Sequence, residues 1–165
     1  MSTLKVDSLV EKTSGNGVHI ADHIVQTVQL THAGTGTTNL GRTDLSASSG
    51  FVDIMSKTIT TKTANSKILV LCKCTAHLST STMQVQSRIL ADSTELYTDP
   101  YAWYGVANEM DQHTVIHLHS PNASAGTTIT FKLQANNTGN GTTYMKYADS
   151  GGTCHSSLTL MEIAQ

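Results

Sequence analysis

Three histidines, His113, His117 and His119, are separated by even numbers of residues, which on an extended strand places all three side chains on one face. Imidazole is the commonest metal ligand, and a threefold axis would bring three such faces together as a metal site. The plainer expectation is the solvent or intersubunit face of a half-polar strand, because a metal demands a further ligand at ~2.0–2.1 Å that spacing alone does not supply. Cys72 and Cys74 also share a face, and Cys154 lies far from them in sequence. A C-x-C pair lacks the turn that wraps a tetrahedral ion, so buried free thiols acting as small hydrophobes are expected. Tyr97, Tyr101, Trp103 and Tyr104 put four of the chain's eight aromatics into eight residues, beside Pro100 and Gly105. Such rings give large contact area with few torsions to freeze, which suits a recognition loop. The alternative is that they plug one end of the fold.

Catalytic chemistry finds no comparable signal. The chain has no G-x-S-x-G elbow, H-E-x-x-H helix or P-loop, so no catalytic residue and no cofactor is expected. Asp92, Glu95, Asp99, Glu109 and Asp111 form an acidic stretch without the order of a calcium loop, and a solvated acidic segment is the expectation. A net charge of −2 with lysines and arginines spread singly argues against nucleic acid as a partner. No apolar run approaches the ~20 residues of a membrane-spanning helix. The N-terminal stretch lacks the apolar segment of a signal peptide, which makes the cytoplasm the expected place of assembly.

The elements that must position these residues are strands. Of 165 residues only 13% are charged, whereas 26 are Thr and 17 are Ser. The branched Cβ of Thr suits a pleated surface, and the composition argues against a helical bundle. Residues 1–23 hold Leu4, Val6, Leu9 and Val10, a turn at Ser14-Gly15-Asn16-Gly17, then Val18 and Ile20. These are too few apolar groups for a core of their own, so an attachment arm lying on another surface is expected. From Ile24 the pattern is strand, turn, strand. Phe51–Lys62, Ile68–Leu78, Met83–Ile89, Thr114–Leu118, Tyr144–Tyr147 and Leu158–Ile163 read as strands, and Ile129, Phe131, Leu133 and Ala135 give the cleanest period of two. In Thr114–Leu118, Ile116 and Leu118 oppose the face of His113, Val115, His117 and His119. Pro100 and Pro121 fall in expected loops. About eight antiparallel strands in residues 24–165, each with one buried face, fit an all-β jelly-roll sandwich.

The segment Ser2-Thr3-Leu4-Lys5-Val6-Asp7-Ser8-Leu9 resembles the "STLKVDTI" start of small virion proteins of tailed phages, especially those of cyanobacterial and marine hosts. Thr63–Val70 resembles their "SSKILV" strand, and Leu158–Ala164 their "ITxMEIA" ending. The resemblance implies a trimeric jelly-roll module displayed on the virion, as a head decoration (cement) protein or as a tail fibre or tip. The implied partners are two further copies of the chain, the major capsid protein or a tail protein, and host surface glycan.

The expectation is therefore a non-enzymatic virion surface protein. One short N-terminal element and no shaft favour a cement protein gripping the shell by residues 1–23. A short tail-fibre adhesin, with the Tyr97–Tyr104 loop touching the host, is the close alternative, and a glycan-binding β-sandwich a further one.

Overall fold

The structure, a computed structural model, describes residues 22–35, 42–78, 83–105, 110–146 and 153–165. Among these residues the chain forms ten strands: β1 (Ile24–Thr35), β2 (Thr43–Ser46), β3 (Val52–Thr60), β4 (Lys67–Leu78), β5 (Met83–Ala91), β6 (Thr94–Gly105), β7 (Met110–His119), β8 (Thr128–Asn137), β9 (Thr142–Met145) and β10 (Thr153–Ile163). Alternation drives each of them. In β8 Ile129, Phe131, Leu133 and Ala135 are buried, while Thr130, Lys132 and Gln134 between them are not.

The strands pair into two antiparallel sheets. One runs β1-β10-β4-β9-β2, with β7 on the other side of β4; the second runs β3-β8-β5-β6. Leaving aside the short β2 and β9, the pairs nest inside one another: β1 with β10, β3 with β8, β4 with β7, β5 with β6. That nesting is one long hairpin folded across itself, the jelly roll. The expected architecture is therefore present, with ten strands rather than eight. The two additional strands are β2, only four residues long and paired with β9, and β6.

A single core lies between the sheets, built around Trp103, Phe131, Ile59, Ile68, Ile89, Leu133 and Leu158. Cys72 and Cys74 point into it, as their shared face requires, and both thiols are free; the side chain of Cys154 lies outside those described. Burial raises both thiols, with the neighbouring Cys74 adding to the effect on Cys72. For Cys74, hydrogen bonds from Ser156 and Lys146 oppose burial only in part, leaving it at about 11. Reaction requires thiolate, so in the native protein Cys74 should be alkylated at pH 8 roughly a hundredfold or more slowly than an exposed cysteine. Peptide mass spectrometry after a timed iodoacetamide pulse checks this; rapid labelling of Cys72 and Cys74 would contradict their burial.

Among the described residues one carboxylate is fully enclosed. Glu162 of β10 accepts hydrogen bonds from the backbone N–H of Lys62 and Thr63, each at 2.9 Å, from the Thr63 hydroxyl at 3.1 Å and from Gln26 Nε2 at 2.6 Å. It thereby fixes the turn between β3 and β4 against β1 and β10. Asn65 occupies the left-handed region in that turn, which its short side chain tolerates.

Two expectations need correction. The segment Tyr97–Tyr104 is not a loop but part of the edge strand β6, and Pro100 stands inside that strand. The edge position explains the proline, which removes a donor the sheet does not need, and the pairing with β5 shifts register between Val85 and Ser87 opposite it. The inward and outward faces of β7 are also the reverse of the apolar pattern. Val115 is buried with the histidines on its side of the strand, while Ile116 and Leu118 face outward. The proposed arm residues Leu4, Val6, Leu9, Val10, Val18 and Ile20 lie outside the described residues.

Candidate interaction surface

The outer faces of the two sheets differ in kind. On the β3-β8-β5-β6 sheet, polar groups are tied to one another. Lys132 Nζ meets Asp53 at 2.7 Å, Arg88 Nε donates to Gln134 at 2.7 Å, and Arg88 pairs with Glu95 at 3.2 Å while lying 4.0 Å above the Phe51 ring. Hydrogen bonds from Lys132 and Gln134 hold the Asp53 carboxyl below its ordinary value. Thr58 bonds Thr130 at 3.3 Å and Thr60 bonds Thr128 at 3.0 Å, a cross-strand ladder of hydroxyls. This face is finished for water.

The outer face of the other sheet carries an apolar patch. Register aligns Leu118, Leu69 and Met161 in one row across β7, β4 and β10, and Ile116, Leu71 and Thr159 in the next. Ile116 is 68% exposed and Leu118 50%. Lys67 and Lys73 stand at the two ends of this stretch of β4, and no carboxylate occupies an outward position on β7, β4, β10 or β1 over the described residues. Contiguous apolar surface of this sort on a folded domain marks an interaction site. The sequence did not lead to it, because the alternation in β7 separates two faces without saying which one turns inward.

The aromatic cluster is divided by the structure. Trp103 is fully buried, its ring centroid 5.1 Å from that of His113 in an edge-to-face arrangement. Tyr97 packs against the core, and burial together with the nearby Asp99 carboxylate raises its phenol. Only Tyr101, 62% exposed, and Tyr104, 72% exposed, can meet a partner. Asp99 holds the strand just before them, its Oδ1 accepting the Tyr101 N–H at 2.8 Å.

The histidines do not converge. His113 lies against Trp103 with its Nε2 3.9 Å from Asp99 Oδ2, and His119 lies against Phe131 with centroids 5.8 Å apart. Burial lowers both, against the pull of Asp99 and Asp111 on His113 and with the help of His117 on His119. Among the described residues no group of three or more His, Cys, Asp or Glu side chains is placed to hold a metal. Of the acidic stretch, Asp92 turns the β5–β6 hairpin and accepts the Thr130 N–H, Glu95 serves Arg88, and Glu109 lies outside the described residues. A cleft of about 290 Å³ opens beside that hairpin, lined by Asp92, Thr94, His119, Pro121 and Ile129.

The fold has counterparts among solved structures. A structure of the infectious bursal disease virus Gx strain superposes with a TM-score of 0.51 at 12% identity, covering 97% of this chain and 36% of that one. The VP2 subviral particle of the same virus gives a TM-score of 0.47 at 11% identity, covering 84% of this chain and 41% of that one. The likeness is one of fold, and this chain spans little more than a third of the length of the first. No protein-family model matches the chain, and no curated protein matches it.

Proposed function

We propose that the chain is a non-enzymatic structural protein on the surface of a tailed-phage virion, a homotrimeric cement protein that assembles in the host cytoplasm and docks on the major capsid protein through residues 1–23. The observation that carries the assembly role is the contrast between the two outer faces: a polar network completes one, while the other exposes Ile116 and Leu118 beside Leu69, Leu71 and Met161. Burying that face between subunits removes apolar area from water at about 25 cal/mol per Å². The resemblance of Ser2–Leu9, Thr63–Val70 and Leu158–Ala164 to small phage virion proteins supports the setting. Cementing then works by mass action, since a multivalent ligand of the assembled shell stabilises only the shell.

Two measurements test this reading. Gel densitometry of purified particles should give this chain in hundreds of copies; a few tens or fewer would reject the cement role. Deleting residues 1–23 should abolish shell binding and leave the trimer folded, and unchanged occupancy would reject the arm. The exposure of Tyr101 and Tyr104 on one strand favours a second reading, a short tail-fibre protein that contacts host surface glycan through β6.

A further inference from the structure

Four of the five sheet-terminal strands carry features that discourage pairing with another chain. β1 shifts register between Ile24 and Gln26, β3 shifts between Asp53 and Met55, β6 shifts twice and contains Pro100, and β2 is four residues long. β7 carries none of these. It pairs with β4 through ten consecutive residues, from Ile68 with His119 to His77 with Met110, without a shift, and holds no proline, lysine or arginine. Its other side has no strand partner among the described residues. A long edge of unbroken register, without proline, lysine or arginine, is a template for strand addition.

We propose that this free edge of β7 pairs antiparallel with the same edge of a second copy of the chain across a twofold axis, joining two sandwiches through one continuous sheet. This rests on the reading that copies of the chain assemble, and it names a contact distinct from the threefold one. An edge related to itself by a twofold axis is self-complementary: donors of one strand meet acceptors of the other, and like faces fall on the same side. Like faces require that paired residue numbers sum to an even number. The register that pairs residues 111–119 throughout puts Asp111 opposite His119 of the second copy and Thr114 opposite Ile116 of the second copy. Sliding by two residues puts Asp111 opposite His117 of the second copy and Thr114 opposite its own equivalent. In both, the only carboxylate of β7 meets an imidazole at each end, a hydrogen-bond acceptor opposite a donor, so the polar groups of the strand complement an antiparallel copy of itself. In both, Ile116 and Leu118 of each copy stay beside Leu69, Leu71 and Met161 of that copy, so the two apolar patches lie on the same side of the joined sheet.

The edge is tested apart from the apolar face by Thr114→Lys, an exposed outward position near the twofold axis where two lysines would oppose one another. The full chain measured by light scattering should have an even number of subunits, six if the trimer also holds, and Thr114→Lys should halve the mass with the circular dichroism spectrum unchanged. In a second measurement, Thr114→Cys treated with a short bismaleimide should give covalent dimers that the unsubstituted chain does not. A dimer that cross-links upholds the β7 contact and rejects the trimer. A trimer indifferent to Thr114→Lys and free of cross-links upholds the trimer and overturns the β7 contact, and a monomer overturns both.

Discussion

Trp103→Ala is expected to lower stability by about 3–5 kcal/mol, the usual cost of emptying a buried aromatic site. The ring is fully enclosed between the sheets, on the strand that faces β7, and packs against His113. No side chain nearby is free to fill the space, because Val85 opposite it and Ile89 beyond are themselves completely buried. For a domain of this size each kcal/mol moves the melting temperature by about 2–4 °C, so a fall on the order of 10 °C should be read by thermal circular dichroism. Trp103→Phe should cost much less, since the indole Nε1 finds no hydrogen-bond partner among the described residues and its loss leaves nothing unpaired. Tyr101→Ala and Tyr104→Ala should stay within about 0.5 kcal/mol, as exposed substitutions do. Were Trp103→Ala to melt with the parent protein, the ring would not be part of the core.

Glu162→Ala should be comparably damaging, by about 3 kcal/mol or more. Two backbone donors and a hydroxyl would lose a charged acceptor inside the protein, at ~1.5–3 kcal/mol for each charge-assisted bond. Burial presses the Glu162 carboxyl upward, but the N–H groups of Thr63 and Lys62, with Gln26 and Ser66, outweigh it and hold the group below its ordinary 4.5. Folding therefore favours the ionised form. Its contribution is complete above the unfolded-state value and fades as pH falls through the lower native one. Glu162→Gln removes that ionisation and should flatten the acid limb of a urea-midpoint-against-pH curve relative to the parent. An identical acid limb in the two proteins would show that Glu162 does not govern it.

Much of the sandwich was legible because its strands obey a period of two. Ile68, Val70, Cys72, Cys74 and Ala76 fill one face of β4, and Ile129 to Ala135 do the same in β8, as their alternation implies. β6 was hidden by its own edge position, where proline and glycine are tolerated and a strand can be written in the residues of a loop. The same misreading turned Trp103 from a core residue into a recognition residue. β7 failed for a different reason: apolar residues on both of its faces leave the local pattern ambiguous, and only pairing with β4 decides that Val115 goes in. Glu162 had no signal at all, since a single carboxylate in an apolar strand reveals nothing of the donors that a turn 100 residues earlier will supply.

The outermost pair of the nested hairpin joins the first described strand to the last, Ile24 to Ile163 and Leu30 to Leu158. During synthesis, β1 must wait for more than a hundred residues to leave the ribosome before its partner exists, a long loop to close and a slow kind of folding. A nascent chain halted before β10 would expose ladders on both β1 and β4, two open templates for wrong pairing. Only a copy translated through β10 can shut them, so the topology itself keeps any chain that stops short of β10 from completing the first sheet.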